Sequence, residues 1–285
     1  MRLLPLLLLT AQKCRGLSTL TIRSPRLYAP QALTPSTQVL LDASQSRYLA
    51  RVMRVREGDA VRLFDGLTGE YEAVVDTVHK GRRGKGRGED VVTLDVRGMT
   101  RSLEDKESSS SATLLFAPIR KARAKILIEK VVELGVTMLV PVVTERTQEK
   151  LDQDDMSKLR AVIIEAAEQS ERLTVPQLMD PEPLSAVLSK WEAATPLLLC
   201  SERKSAPPLL DALGRSDNAA FLVGPEGGFS DAEFKLLEAL QSVQPVSLGP
   251  NILRAETACV YVLSCWNARS LTKPSQGKGG EQKKC

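Results

Sequence analysis

The sequence predicts two units of different texture: a small β-rich domain, then an α/β domain built on a mostly parallel sheet. Three observations carry this. Up to about residue 100, apolar and polar residues alternate with a period of two, and Asp65-Gly66 and Thr68-Gly69 supply turn signals. The stretch RSLEDKESSSS, residues 101–111, is polar and Ser-rich, the composition of a linker. Beyond it, short aliphatic runs alternate with segments of helical period, the pattern of strands joined by crossover helices.

The chain begins with a stretch that belongs to neither unit. No acid occurs before Asp42, whereas Arg2, Lys13, Arg15, Arg23 and Arg26 all do, with Ser and Thr among them. Such a start predicts an organelle transit peptide over residues 1–25, mitochondrial before plastid. A secretory signal competes, because Leu3–Leu9 resembles a short apolar core; the basic residues that follow favour transit. Without Arg2, Lys13, Arg15 and Arg23, the 39 bases drop to the number of the 35 acids. Binding to nucleic acid must then rest on local patches rather than a global field.

The first domain is expected over residues 26–100. SQSRYLARVMRVREGD reads as a helix with Leu49, Val52 and Met53 on its apolar stripe and Gly58 as its stop. Arg47, Arg51 and Arg54 lie on or beside it, as either a solvated face or an RNA contact. Strands follow in DAVRLFDGLTGEYEAVVDTV and EDVVTLDVRGM. Between them Lys80–Gly88, KGRRGKGRG, is either a loose insertion or an electrostatic grip on phosphate. His79, the only histidine, sits in strand-like alternation and reads as a surface residue.

The second domain is expected over residues 112–270, ahead of a structureless tail, 271–285. Its strands are read in ATLLFAP, TMLVPVV, PLLLC, AAFLVG and PVSLG. Its helices are read in KARAKILIEKVVEL, DMSKLRAVIIEAAEQSERL, a short piece near Leu209, SDAEFKLLEALQ and AETACVYVLSCWNAR. Arg120, Lys121 and Arg123, before and within the first of these helices, are further candidates for RNA contact.

Several chemistries are disfavoured. The five cysteines form no CxxC pair, and with a single histidine neither a zinc site nor a Ser-His-Asp hydrolase is expected. No apolar run approaches the ~20 residues of a membrane span.

The informative stretch is FLVGPEGGFSDAEF, Phe221–Phe234. Ser230 followed by Glu233 predicts a capping box, so a loop joins a strand's carboxyl end to a helix's amino end, where open α/β sheets bind ligands. Gly227 and Gly228 permit close backbone approach or positive φ, and Pro225 stiffens the loop. The spacing matches neither GxGxxG nor a Walker A loop, and Glu226 would repel phosphate. A nucleoside-like or cationic ligand is favoured; a plain tight turn explains the spacing equally well. SLGPNILRAETA, Ser247–Ala258, repeats the strand–turn–helix pattern, so the two loops are expected at adjacent strand ends around one pocket. Arg254 and Glu256 would stand at its mouth, though an acid in a helix's first turn is favoured by the dipole in any case.

LVGPEGGFS, SLGPNILRAETA, EKVVELGVTMLVPVVTERT, IIEAAEQSERLTVP and YLARVMRVREGDAVRLFDGLTGEY together resemble the RsmE-type small-subunit (16S) rRNA uridine-N3 methyltransferases, over about Arg26 to Asn267. The resemblance implies a trefoil-knotted SPOUT methyltransferase domain behind a PUA-like β-barrel. It also implies S-adenosyl-L-methionine as methyl donor, small-subunit rRNA or its assembling subunit as partner, and a homodimer, with no metal or membrane. The donor pocket it implies is lined by Leu199, Leu222, Gly224, Pro225, Glu226, Gly227, Gly228, Leu248, Gly249, Ile252 and Leu253. N3 of uracil must lose a proton while charge spreads onto its oxygens. Arg254 is expected as the stabilising cation, and Glu226 or Glu256 as proton acceptor. The chain departs from the family at Arg47, where His is common, and in its long basic loop, basic start and Lys-rich tail. An assembly factor without activity, or a methyltransferase on another RNA, are the competing readings.

Overall fold

The computed structural model describes residues 24–81, 88–104, 111–192, 194–200, 206–214 and 217–271. The expected leader therefore lies almost wholly outside the described residues, as do the middle of the basic loop, most of the expected linker and the tail. By internal packing the chain divides into Met1–Phe64 with Glu70–Arg101, and Asp65–Gly69 with Ser102–Cys285.

In the first unit five strands, β1 (Arg26–Tyr28), β2 (Gln38–Leu40), β3 (Ala60–Phe64), β4 (Gly69–His79) and β5 (Val91–Ser102), lie in the order β1-β3-β4-β5-β2. β1 and β3 are parallel; β3–β4 and β2–β5 are antiparallel. Alternate residues Val61, Leu63, Tyr71, Ala73, Val92 and Leu94 point inward. They meet Leu27 and Val39 of the outer strands in one cluster, so the sheet curls around a single core. His79 is exposed at the end of β4.

Helix α1 (Ala43–Arg47), capped by Asp42, runs straight into a π-helical turn, Tyr48–Met53. It does not continue to Gly58. Leu49 and Ala50 are pinned in the core, Arg54 takes a left-handed conformation with φ 56°, and the Val55 N–H returns to the Leu49 carbonyl at 3.1 Å. That closes the helix end where a glycine would ordinarily sit. Gly58, at φ 90°, instead donates its N–H to Val75 at 2.8 Å, leading the chain into β3.

One buried charge cluster stands out. Glu70 accepts from Arg26 Nε at 2.6 Å and from both Arg101 Nε and Nη2, while Arg26 also lies 3.9 Å over the Phe64 ring. Burial alone would raise the Glu70 carboxyl, but hydrogen bonds and charge from Arg101 and Arg26 outweigh it and hold it below the usual carboxylate range.

The second unit carries β6 (Ser111–Phe116), β7 (Met138–Val143), β8 (Gln177–Leu178), β9 (Glu182–Pro183), β10 (Leu197–Cys200), β11 (Asn218–Val223) and β12 (Val243–Val246). The order is β12-β10-β11-β6-β7-β8, with β9 on the far end of β7, and these pairings are parallel. Its helices are α2 (Lys121–Glu133), α3 (Gln153–Gln169), α4 (Leu184–Ser189), α5 (Leu209–Ala212), α6 (Asp231–Glu238) and α7 (Ala255–Leu271). Ala220 and Leu222 face α4 and α6, whereas Phe221 between them meets Trp266 of α7 edge-on at 6.4 Å. Both faces of β11 are thus covered, which is why it reads as an unbroken apolar run, whereas β12, expected in PVSLG, instead spans Val243–Val246 with Gln244 and Pro245 exposed.

Residues 101, 102 and 111, expected as linker, are strand instead: Arg101 and Ser102 end β5, and Ser111 pairs with Asn218 at the start of β6. The two-residue strands β8 and β9, and α4 behind Pro183, gave no periodic signal. None of the described helices is long and apolar enough to cross a membrane.

Candidate active site

Three loops at strand carboxyl ends enclose a cavity of about 440 Å³. The strand order corrects one expectation. The loops after β11 and β12 do not leave adjacent strands, because β10 runs between them and supplies the floor through Leu199 and Cys200. Main-chain bonds fasten the far wall: Leu209 N–H donates to Ser247 at 3.0 Å, and Ser247 N–H to Pro207 at 2.8 Å.

The loop after β11 owes its shape to its glycines and its cap. Gly228 N–H donates to Pro225 at 2.8 Å, and Gly228 sits at φ 67°. A Cβ on Gly224 would lie 2.8 Å from Cε2 of Phe229, so only glycine lets that ring stack edge-on against Phe234 at 5.7 Å. The capping box forms as expected: Ser230 Oγ accepts from Glu233 N–H at 3.2 Å, and Glu233 Oε2 from Ser230 N–H at 2.8 Å. The other Glu233 oxygen accepts from Glu145 N–H at 2.9 Å, which ties in the loop after β7. From that loop Arg146 donates to the Gly227 carbonyl at 2.8 Å and lines the cavity.

The rim is charged. Arg123 Nη1 donates to Glu226 Oε1 at 3.2 Å, and its Nε lies 3.7 Å from Glu256 Oε1. The pairs are partly exposed, and such contacts contribute ~0.2–1 kcal/mol each. Burial pushes the Cys200 thiol up to about 12, so the floor of the cavity presents a neutral thiol.

Two family models match the chain: an RNA methyltransferase domain over residues 106–267 and an RNA methyltransferase PUA domain over residues 41–82. A ribosomal RNA small subunit methyltransferase E of Rickettsia conorii is 30% identical over 245 residues, 84% of this chain and 93% of its own. The chain belongs to the small-subunit ribosomal RNA methyltransferase E family. The Synechocystis member is 33% identical over 244 residues, 84% of this chain and 76% of its own. The crystal structure of the Neisseria gonorrhoeae member bound to S-adenosylmethionine superposes with a TM-score of 0.74 at 30% identity, covering 86% of this chain and 98% of that one. The larger unit has the SPOUT methyltransferase fold and the smaller is PUA-like, as the resemblance implied.

Against this family frame the individual residues sort clearly. Leu199, Gly224, Pro225, Glu226, Gly228, Leu248, Gly249, Ile252 and Leu253 line the cavity. Leu222 does not: it is fully buried in the cluster beneath, because its strand turns it toward α4 and α6. Gly227 stands back from the lining; a Cβ there would meet Arg146 Cβ at 3.4 Å, so it makes room for that side chain. Arg254 is exposed immediately before α7, and neither it nor Glu256 belongs to the lining.

Of the expected RNA contacts, Arg47, Arg54 and Arg120 are exposed. Arg51 is engaged bidentately by Asp90 and also donates to Gly81 at 2.7 Å, bracing the base of the basic loop. Lys121 pairs with Asp155 at 2.7 Å. Sequence reasoning missed Arg146, Cys200, Phe229 and Phe234 as cavity residues. The signals were present: Arg146 lies in the quoted TERT motif, and both phenylalanines flank the capping box.

Proposed function

We propose that this chain transfers a methyl group from S-adenosylmethionine to N3 of a uridine in small-subunit ribosomal RNA, as a homodimer in mitochondria. The observation that carries the reading is the three-loop cavity, whose size falls within the ~300–1,000 Å³ of small-ligand sites. Its character suits the donor. Phe229, Phe234 and Ile252 offer apolar surface, and the main chain at Gly224 and Gly249 approaches without side chains. Glu226 at the rim favours a positive centre. When bound, the donor supplies a methyl carbon made electrophilic by its cationic sulfur.

The chain's own residues do the rest. The loops after β7, β11 and β12 would fix the donor against β10, and holding two reactants in line is worth ~7–11 kcal/mol of barrier. Glu226, in the lining and solvent-accessible, would take the N3 proton. Arg254, exposed just before α7, would meet the incoming base and help stabilise the charge on its oxygens. Exposed Arg47, Arg54 and Arg120 offer phosphate contacts. Ile126 on α2 and Tyr261 on α7 are 57% and 40% exposed, apolar side chains that a second copy would cover. The acid-free, basic first 41 residues favour mitochondrial import.

Methylation at N3 blocks the Watson–Crick edge, so reverse transcriptase halts there. One halt in mitochondrial small-subunit rRNA should vanish on loss of the gene, return with the wild-type gene, and be weakened with Gly224→Ala. An unchanged pattern of halts would refute the N3 assignment in that organelle. Fluorescence microscopy of the tagged full chain checks the location, and analytical ultracentrifugation the dimer.

A further inference from the structure

We propose that Arg123 is a catalytic cation of the transfer, held in reserve by two carboxylates and swung onto the target base when RNA docks. The inference rests on the uridine-N3 reading above. Arg123 stands in the first turn of α2, at the cavity rim. Its Nη1 meets Glu226 Oε1 at 3.2 Å, and its Nε lies 3.7 Å from Glu256 Oε1. The two acids come from different walls, the loop after β11 and the first turn of α7.

Three features make this a resting state and not a lock. Arg123 and Glu226 side chains are 34% and 58% exposed. An ion pair of that exposure shifts an equilibrium by no more than about fivefold, so its exchange costs little. One guanidinium serves two carboxylates, which leaves the trio with net negative charge when the site is without substrate. Finally, Glu256 Oε2 is buried and takes no hydrogen bond among the described residues. A desolvated oxygen without a donor keeps a cation close, so Glu256 anchors the Nε end while the Nη end is released.

Uracil completes the set. As Arg123 Nη1 leaves Glu226 for O4 of the base, the Glu226 carboxylate is freed and takes the N3 proton. The charge left on the imide spreads to O2 and O4, where the guanidinium compensates it. N3 then bonds the methyl carbon as the carbon–sulfur bond breaks, with its electron pair remaining on sulfur. The rim ends one negative charge poorer, because Glu226 is protonated, and releases that proton to water.

The test uses the full chain, S-adenosylmethionine and small ribosomal subunits from cells lacking the gene. Arg123→Ala should bind the donor, by calorimetry, and the subunit, by mobility shift, within about threefold of wild type. Its single-turnover rate should fall ~10²–10³-fold, the scale of one lost preorganised donor. The deficit should shrink as pH rises, because hydroxide then ionises the imide unaided. Arg123→Lys keeps the charge without the planar fork and should recover at least about tenfold of the loss. Methylation by Arg123→Ala within about threefold of wild type overturns the proposal, as does a rate loss matched by lost donor or subunit binding. Wild-type product is identified by mass spectrometry in parallel. A methyl on another atom defeats the N3 reading itself, whereas N3-methyluridine with a fully active Arg123→Ala defeats only the role of Arg123.

Discussion

Gly224 has no space for one more carbon. With Phe229 Cε2 at 2.8 Å from any Cβ, Gly224→Ala must push the ring into the cavity or off Phe234. Overpacking of this kind costs ~1–3 kcal/mol. Titration calorimetry should show donor affinity reduced by about fivefold to 100-fold, and the melting temperature should fall by a few degrees because Phe229 belongs to the buried cluster. Cys200 gives a second residue-level expectation. Its thiol, pushed up to about 12 by burial, stays protonated at pH 7–9, so iodoacetamide should leave it unmodified in the native protein and label it after denaturation. At this scale the sequence was partly legible. Glycine at 228 permitted either close backbone approach or positive φ, and the residue stands at φ 67°. Glycine at 227 gave the same signal for a different reason, the packing of Arg146, which only tertiary structure reveals.

Element α6 was read from its cap, and its first residue is where Ser230 and Glu233 placed it. What the pattern could not show is that Glu233 uses its second oxygen on the loop after β7. Glu233→Gln retains one acceptor but turns an amide N–H₂ toward a backbone N–H. The unsatisfied groups should cost ~1–3 kcal/mol, read as a lower urea midpoint, and donor affinity should fall with it because Arg146 loses its support. The strand order was also beyond local pattern. The runs in ATLLFAP, TMLVPVV, PLLLC and AAFLVG identified buried strands, yet nothing in LLLC or FLVG says which strand lies between which. The helix after Asp42 failed for a sharper reason. Arg54 adopts the conformation that a cap reserves for glycine, because burial of Leu49 and Ala50 dictates where the helix must end.

Across the whole molecule, the two textures on either side of residue 100 were visible because alternation and helical period differ. The trefoil crossing implied by the family resemblance was not, since threading is a global property that no window of residues records. Glu70 sets the pH response of the first unit. Its carboxyl titrates lower folded than unfolded, so its contribution is present above the ordinary carboxylate range and lost as pH falls through the folded value. Glu70→Gln removes the charge at any pH and takes from Arg26 and Arg101 the buried carboxylate they share, for ~3–5 kcal/mol. Calorimetry at pH 7 should find the variant's first unit melting well below wild type, with the gap closing in acid. RNA binding should be only mildly salt-dependent, because charge outside the expected leader is balanced. With Arg47, Arg54 and Arg120 as phosphate contacts on single-stranded RNA, log K against log salt should slope about −2. A slope beyond about −4 would bring the basic loop into contact.

The position of β10 between β11 and β12 also bears on synthesis. Chain order delivers Arg146 first, then the floor of the cavity, then the wall after β11, and the wall Leu248–Ala258 last. A nascent chain shorter than that has nowhere to lodge its cofactor, so abortive or prematurely terminated products are catalytically silent rather than partly active, and competence arrives in a single late event.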